Sequence, residues 1–235
     1  MRLLAFETST EACSVALYLD GAVLERFEVA PRRHTELALP WAQALLAEAG
    51  VARTQLDAIA VGRGPGAFTG VRLAIAIAQG VALGLDLPVV PVSTLAALAM
   101  QAGGERRIAA IDARMGEVYL ATFAREGGRL VALSEEVVVR PDAALVPPGD
   151  GWRGAGTGFA AAEGALQLRL QGRLVAVDAQ ALPRAADVAR LAAPVFAAGG
   201  GIAPERAEPA YLRNDVALTL VQQRALRDAA PPRQS

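Results

Sequence analysis

At 235 residues, 53% of them hydrophobic, the chain is long enough to bury a core without disulfide staples, and its one cysteine, Cys13, excludes an internal bridge. All 23 basic residues are arginine, which excludes Schiff-base catalysis and a Walker lysine, and a formal net charge of -1 argues against a broad electrostatic footprint for nucleic acid. His34 is the single histidine, so metal sites built on paired imidazoles of this chain are excluded too.

The opening "MRLLAFETST" has a short apolar run interrupted by Glu7 and no small-residue cleavage site. That is the pattern of neither a secretory signal nor a membrane anchor, and a cytoplasmic protein without membrane association is expected. Three strands read as a meander, Leu3 to Thr8, Cys13 to Leu19 and Val23 to Val29, with Asp20-Gly21 as a hairpin signal between the last two. Cys13 falls in the alternating run "ACSVALYL", where an inert buried thiol is expected. "RRHTELALPWAQALLAEAG" then supplies a helix with Leu37, Trp41, Ala44, Leu45 and Glu48 at helical spacing, ending at Gly50 and starting late or kinking near Pro40.

"AVGRGPGAFTGVRLAIAIAQG", Ala60 to Gly80, ends a strand and opens a helix, Thr69 to Leu85. It is neither standard phosphate-binding device. Val71 and Arg72 follow Gly70 where a Walker loop needs Lys and Ser or Thr, and Gly64, Gly66 and Gly70 are one residue too widely spaced for the dinucleotide fingerprint. Pro65-Gly66 reads as the centre of a type II turn with Gly66 at positive φ, and Thr69 as the helix cap. Free N–H groups at the helix start suit an anion, yet a tight strand-to-helix turn requires the same residues without a ligand. The helix is apolar on two faces: Val71, Ala74, Ile75, Ala78 and Ala82 suit a sheet, while Leu73, Ala76, Ile77, Gly80 and Gly84 form a second face. Ala76, Gly80 and Gly84 leave a shallow groove there, to be covered either by the preceding helix, 36–49, or by another subunit. This is the helix nearest to membrane length, falling short of it, and its arginine and glutamine argue against insertion. "LPVVPVS" follows as a strand and "STLAALAMQA" as a helix capped by Ser93 or Thr94.

From Arg106 the opening pattern begins again. "RRIAAIDARMGEVYLATFAREGGRLVALSEEVVV" repeats an apolar strand ending in a carboxylate, a small-residue turn, an alternating strand, a glycine turn and a third strand, with Asp112 in the place of Glu7. After Val139 the chain is rich in Pro and Gly, followed by a short strand "RLVAV" and a helix Ala185 to Ala198 that "GGG" stops. The expectation is an α/β protein of two related lobes built on a duplicated βββα unit, residues 1–103 and a smaller, degenerate 104–213. A tail, 214–235, ends in a short helical pattern and a Pro-rich, partly disordered end.

A duplicated unit with a carboxylate closing each first strand resembles the actin-like, sugar-kinase and Hsp70 ATPase superfamily. That resemblance implies Glu7 and Asp112 as candidates to approach Mg-ATP across an interdomain cleft; Asp112, Arg114 and Glu117 in "DARMGEVY" read either as a charged cluster at that cleft, with Thr8 as a further contact, or as solvated strand-end ion pairs. More specifically, "FETSTEACSVAL", "GRGPGAFTGVRLAIAIAQGVALG", "VSTLAALA", "AAIDARMGEVY" and "AEPAYLR", spread from residue 6 to 213, are similar to the bacterial TsaB (YeaZ) family. The family resemblance implies a non-catalytic partner of TsaD, which transfers a threonylcarbamoyl group from threonylcarbamoyl-AMP to the adenosine next to the anticodon of tRNAs reading codons that begin with A. It also implies the ATPase TsaE as a further partner, a homodimer when alone, and only indirect contact with tRNA. No catalytic or metal residue and no cofactor of the isolated chain are expected, with ATP or ADP confined to the TsaD interface.

The partner surface is expected at Leu73, Ala76, Ile77, Gly80 and Gly84 together with Trp41. The family resemblance gives TsaD paired histidines for its metal, where this chain has only His34. Glu7 departs from the aspartate common in relatives, lengthening the side chain by one methylene, which matters for Mg²⁺ geometry. The alternative is a small-molecule kinase or ATPase using Glu7 and Asp112. A protease using Cys13 or Ser14 with His34 is weaker, because no oxyanion loop or orienting acid can be assigned. Tyr211 and Arg213 are expected to pack the tail back on the body or to touch a partner.

Overall fold

The computed structural model describes residues 1–213. The tail 214–235, with its helical pattern and Pro-rich end, lies outside the described residues. Strands β1 (Arg2–Glu7), β2 (Ala12–Leu19) and β3 (Ala22–Val29) form the antiparallel meander. Asp20 and Gly21 both take positive φ, 47° and 105°, which matches the twist of the strands they join. Helix α1 (His34–Glu48) leads to β4 (Ala58–Gly62), α2 (Phe68–Leu85) to β5 (Val89–Val92), and α3 (Thr94–Ala99) closes the first half. The sheet runs β3-β2-β1-β4-β5, with β4 parallel to β1 and β5 parallel to β4. Helix α1 starts at His34 and runs through Pro40, so the late start expected from that proline is absent; a single missing N–H inside a packed helix is tolerated.

The second half repeats this plan with β6 (Arg106–Arg114), β7 (Glu117–Glu126), β8 (Arg129–Ala132), β9 (Val137–Val139), β10 (Trp152–Ala155), α4 (Ala161–Arg169), β11 (Leu174–Asp178) and α5 (Ala185–Ala197). Its sheet runs β11-β10-β6-β7-β8, with β9 pairing β7, so the meander-then-parallel order of the first sheet recurs. The degeneracy lies in the helices rather than the strands. A single 3₁₀ turn, Pro141–Ala143, stands where α1 stands in the first half, and α4 opens with Ala162, Glu163 and Gly164 in the left-handed region. Strand β10 and helix α4 escape the sequence pattern because they lie in a Gly- and Pro-rich stretch. Gly154 within β10 is needed for space, since a Cβ there would overlap the Phe159 ring.

Each sheet is covered on both faces, which is why β1 and β4 are apolar almost throughout. Helices α1 and α2 pack on one face of the first sheet around Leu4, Phe6, Val15, Leu45 and Ile75. The opposite face is covered by α5, whose Ala185, Val188, Ala189 and Ala192 meet Leu3, Ala5, Ala58 and Val90. Helix α3 in turn covers the second sheet, with Leu95 and Leu98 against Ala109, Ile111 and Phe123. The two halves thus exchange a helix. The chain then stays on the first sheet, where Ile202 bridges Val89 and Ala207 joins the core. Residues 185–207, which a division at 103/104 groups with the second lobe, therefore pack on the first. Helix α2, with 18 residues, is long and apolar enough by composition to cross a membrane, more than the sequence reading allowed. It lies along the sheet, and its Gln79 amide donates to the carbonyls of Pro204 (3.0 Å) and Ala207 (3.2 Å).

Candidate functional site

The glycine-rich turn between β4 and α2 serves close packing. Positive φ falls on Gly64 (90°), not on Gly66 as the type II turn would require. Gly66 is needed for space instead: a Cβ there would overlap the Ser9 carbonyl, one on Gly70 the Thr8 carbonyl, and one on Gly62 the Glu7 carboxylate. The turn thus clasps the link between β1 and β2. Ala67 N–H donates to the Ser9 carbonyl and Thr8 Oγ1 to the Gly70 carbonyl, each at 2.7 Å. Helix α2 starts at Phe68 with Ala67 as its uncapped N-cap, so Thr69 is not the cap; the sheet clasp fixes the helix entry in its place. Ser93 does cap α3, accepting from Ala96 N–H at 3.0 Å.

Glu7 belongs to this clasp. It is 1% exposed. Ser9 N–H donates to Oε1 at 2.7 Å, Ser9 Oγ donates to the same oxygen, and Thr94 Oγ1 donates to Oε2 at 3.0 Å. Gly64 N–H donates to Thr94 Oγ1 at 3.2 Å, which ties β1, the glycine turn and α3 into one network. Burial holds the Glu7 carboxyl above the ordinary carboxylate range, against the hydrogen bonds from Ser9, Thr94 and Thr8 that pull it down. A raised folded-state pKa stabilises the protein fully below the unfolded value, and that contribution is lost as pH rises through the folded one. Comparing urea unfolding at about pH 5 and about pH 8, wild type is expected to lose stability relative to Glu7→Gln as pH rises. A wild-type-to-variant difference that does not change with pH would show that Glu7 carries no such shift.

A cleft of about 810 Å³ opens between the two halves. Its walls include Ser9, Thr10 and Glu11 after β1, His34 at the start of α1, Phe68 and Arg72 on α2, Asp112 and Arg114 at the end of β6, and Tyr211 and Arg213. Of the cleft residues expected from sequence, Asp112 and Arg114 line it, whereas Glu7 and Thr8 are sealed beneath it. Asp112 pairs with Arg114 at 3.0 Å, and Glu117 pairs with Arg213. The strand-end symmetry of Glu7 and Asp112 therefore does not place two carboxylates across the cleft. The second lining carboxylate is Glu11, which sequence reasoning passed over because it lies beyond the strand end. Among the described residues no three His, Cys, Asp or Glu side chains gather as a metal-binding group.

The nucleophile candidates are also occupied or sealed. Burial, and then Glu28, push the Cys13 thiol up to about 11, so it is no thiolate at neutral pH. Ser14 Oγ donates to Glu25 at 2.8 Å and accepts from Ala185 N–H at 2.9 Å. His34 Nε2 lies 3.0 Å from the Thr10 carbonyl, to which it donates.

The outward face of α2 is open. Val71, Ala74, Ile75, Ala78 and Ala82 are buried against the sheet, as the periodicity predicts. On the other side Ala76, Gly80 and Gly84 are exposed, and a Cβ built on either glycine meets nothing within 4 Å. Helix α1 therefore does not cover the groove. Leu73, Ile77 and Trp41 are half-buried, the last two at the edge of the core. Leu83, 62% exposed, joins the open face. Its place three residues after Gly80 was the available signal for it.

Comparison with known proteins follows the same lines. The family model described as "TsaD: tRNA N6-adenosine threonylcarbamoyltransferase" matches residues 27–221. The Escherichia coli (strain K12) "tRNA threonylcarbamoyladenosine biosynthesis protein TsaB" is 46% identical over 226 residues, 92% of this chain and 96% of that protein. The Haemophilus influenzae protein of the same name is 41% identical over 229 residues, 92% of this chain and 95% of that one. A Pseudomonas aeruginosa crystal structure, described as an uncharacterized protein with similarity to peptidase YeaZ, superposes with a TM-score of 0.84 at 48% identity, covering 90% of this chain and 99% of that one. With the two-lobed actin-like fold, the open α2 and this full-length similarity in place, the chain belongs to the TsaB family of tRNA threonylcarbamoyladenosine biosynthesis proteins.

Proposed function

We propose that this chain is a non-catalytic subunit that docks a TsaD-type transferase and holds it in the form that moves a threonylcarbamoyl group from threonylcarbamoyl-AMP to the adenosine next to the anticodon. Full-length similarity to TsaB proteins carries this reading. The open groove at Ala76, Gly80 and Gly84 supports α2 as the docking helix, because small residues let a second helix approach closely over an apolar face. The burial of Glu7 supports a non-catalytic role: its oxygens are spent on Ser9 and Thr94. In this reading the isolated chain pairs with itself through the same face, so self-association and transferase binding compete. A TsaE-type ATPase then acts on the joint surface, any ATP or ADP sits there, and tRNA is touched through the partner.

Light scattering on a mixture of the purified chain with the transferase of the same organism tests this. A one-to-one complex that grows at the expense of homodimer is expected. Two unassociated proteins would overturn the reading, as would ATP turnover by this chain alone that Glu7→Ala abolishes.

A further inference from the structure

An exposed aromatic and arginine cluster sits at the first turn of α2. Phe68 is 60% and Tyr211 51% exposed, large apolar surfaces left to solvent. Their ring centroids lie 6.4 Å apart, and the Arg72 guanidinium is held between them, 3.7 Å over the Phe68 ring and 5.5 Å from that of Tyr211. Arg72 Nε donates to Tyr211 Oη at 2.7 Å. Among the described residues Arg72 has no carboxylate partner, unlike Arg114 and Arg213 in the same cleft.

Tyr211 reaches this place on a strap that crosses between the lobes. Ala210 N–H donates to the Arg63 carbonyl at 2.8 Å on the first lobe. Arg213, at the other end, pairs with Glu117 and donates to the Ala113 carbonyl at 3.3 Å on the second. The strap thus fixes an aromatic ring over α2 by anchors that are themselves off the helix.

Arg72 and Ala76 stand one turn apart on α2, about 40° round its axis, so the Phe68–Arg72–Tyr211 cluster adjoins the N-terminal end of the flat strip Ala76, Gly80 and Gly84. A helix laid over the flat part meets the cluster at its end. Resting on the docking proposed for α2, we infer that Phe68, Arg72 and Tyr211 are the anchoring end of that interface, and that the transferase presents a carboxylate there. Continuity with the groove selects the occupant. The chemistry agrees: pre-ordered aromatic rings and a stacked arginine are the groups that carry most binding energy in protein interfaces, and an arginine so held, with no carboxylate partner among the described residues, favours bidentate carboxylate. The strap makes Arg213 a positioning residue, acting on the partner through Tyr211.

The test is the affinity of wild type, Arg72→Glu, Arg72→Gln, Tyr211→Ala, Arg213→Ala and Ala76→Arg for the transferase, at low and moderate salt, with circular dichroism confirming each fold. Arg72→Glu is expected to weaken binding at least thirtyfold and Tyr211→Ala about tenfold. Arg213→Ala should weaken it a few-fold, and Arg72→Gln should flatten the salt dependence of wild type. If Ala76→Arg abolishes binding while Arg72→Glu and Tyr211→Ala stay within about twofold of wild type, the interface stops short of the cluster and this inference is overturned while the docking reading stands. If wild type does not bind, both fall together.

Discussion

Ala76→Arg in α2 is expected to lower the affinity for the transferase at least a hundredfold, about 3 kcal/mol, while leaving the isolated chain as stable as wild type. Ala76 is exposed on a helix whose neighbouring Gly80 has open space where a Cβ would go, so the long side chain clashes with nothing inside the protein. In a complex the same side chain would fill the groove and leave a charge stripped of water against an apolar helix. Removing water from an unpaired guanidinium costs several kcal/mol, far more than the loss of a methyl contact. Gly80→Arg should behave likewise. Binding measured by titration calorimetry with melting curves of the free variants separates the two effects. A folded Ala76→Arg protein that binds like wild type would move the docking surface away from α2.

The second large effect is on stability, and it sets two glycines of one segment against each other. Gly70→Ala is expected to destabilise the chain by about 2–4 kcal/mol, since its Cβ would overlap the Thr8 carbonyl oxygen, a backbone atom that a rotamer change cannot move. Gly80→Ala should stabilise it by about 0.5–1 kcal/mol, because a methyl in open space on a helix interior removes backbone freedom from the unfolded chain without a clash. Urea unfolding of both variants gives the sign directly. If Gly70→Ala were neutral, the glycine turn would not be clasped on the link after β1, and an anion-binding role for it would regain ground.

That contrast shows what the sequence could and could not disclose. The inner face of α2 was legible residue by residue, because helical periodicity reports which side chains share a face, and all five predicted positions are buried. The duplication was legible because a strand, a carboxylate and a glycine turn recur in order, and the second sheet has the strand order of the first. Periodicity does not say which sheet a helix covers, so the passage of α5 onto the first sheet was hidden. Its alanine-rich face fits closely against Leu3, Ala5 and Val90. Nor does a carboxylate at a strand end reveal whether it faces a cleft or is folded over. Ser9 and Thr94 decide that for Glu7, and Thr94 is far along the chain. The same distance hid the pairing of Tyr211 with Phe68 and Arg72, which joins the end of the described chain to the start of α2.

The most direct test of a non-catalytic, docking subunit is threonylcarbamoyladenosine formation on tRNA by the purified transferase and its other components, with and without this chain. The account predicts that modification requires the chain, that Glu7→Gln supports it as well as wild type under conditions where both are folded, and that Ala76→Arg does not. Modification at full rate without the chain, or its loss in a folded Glu7→Gln protein that still binds the transferase, would contradict it.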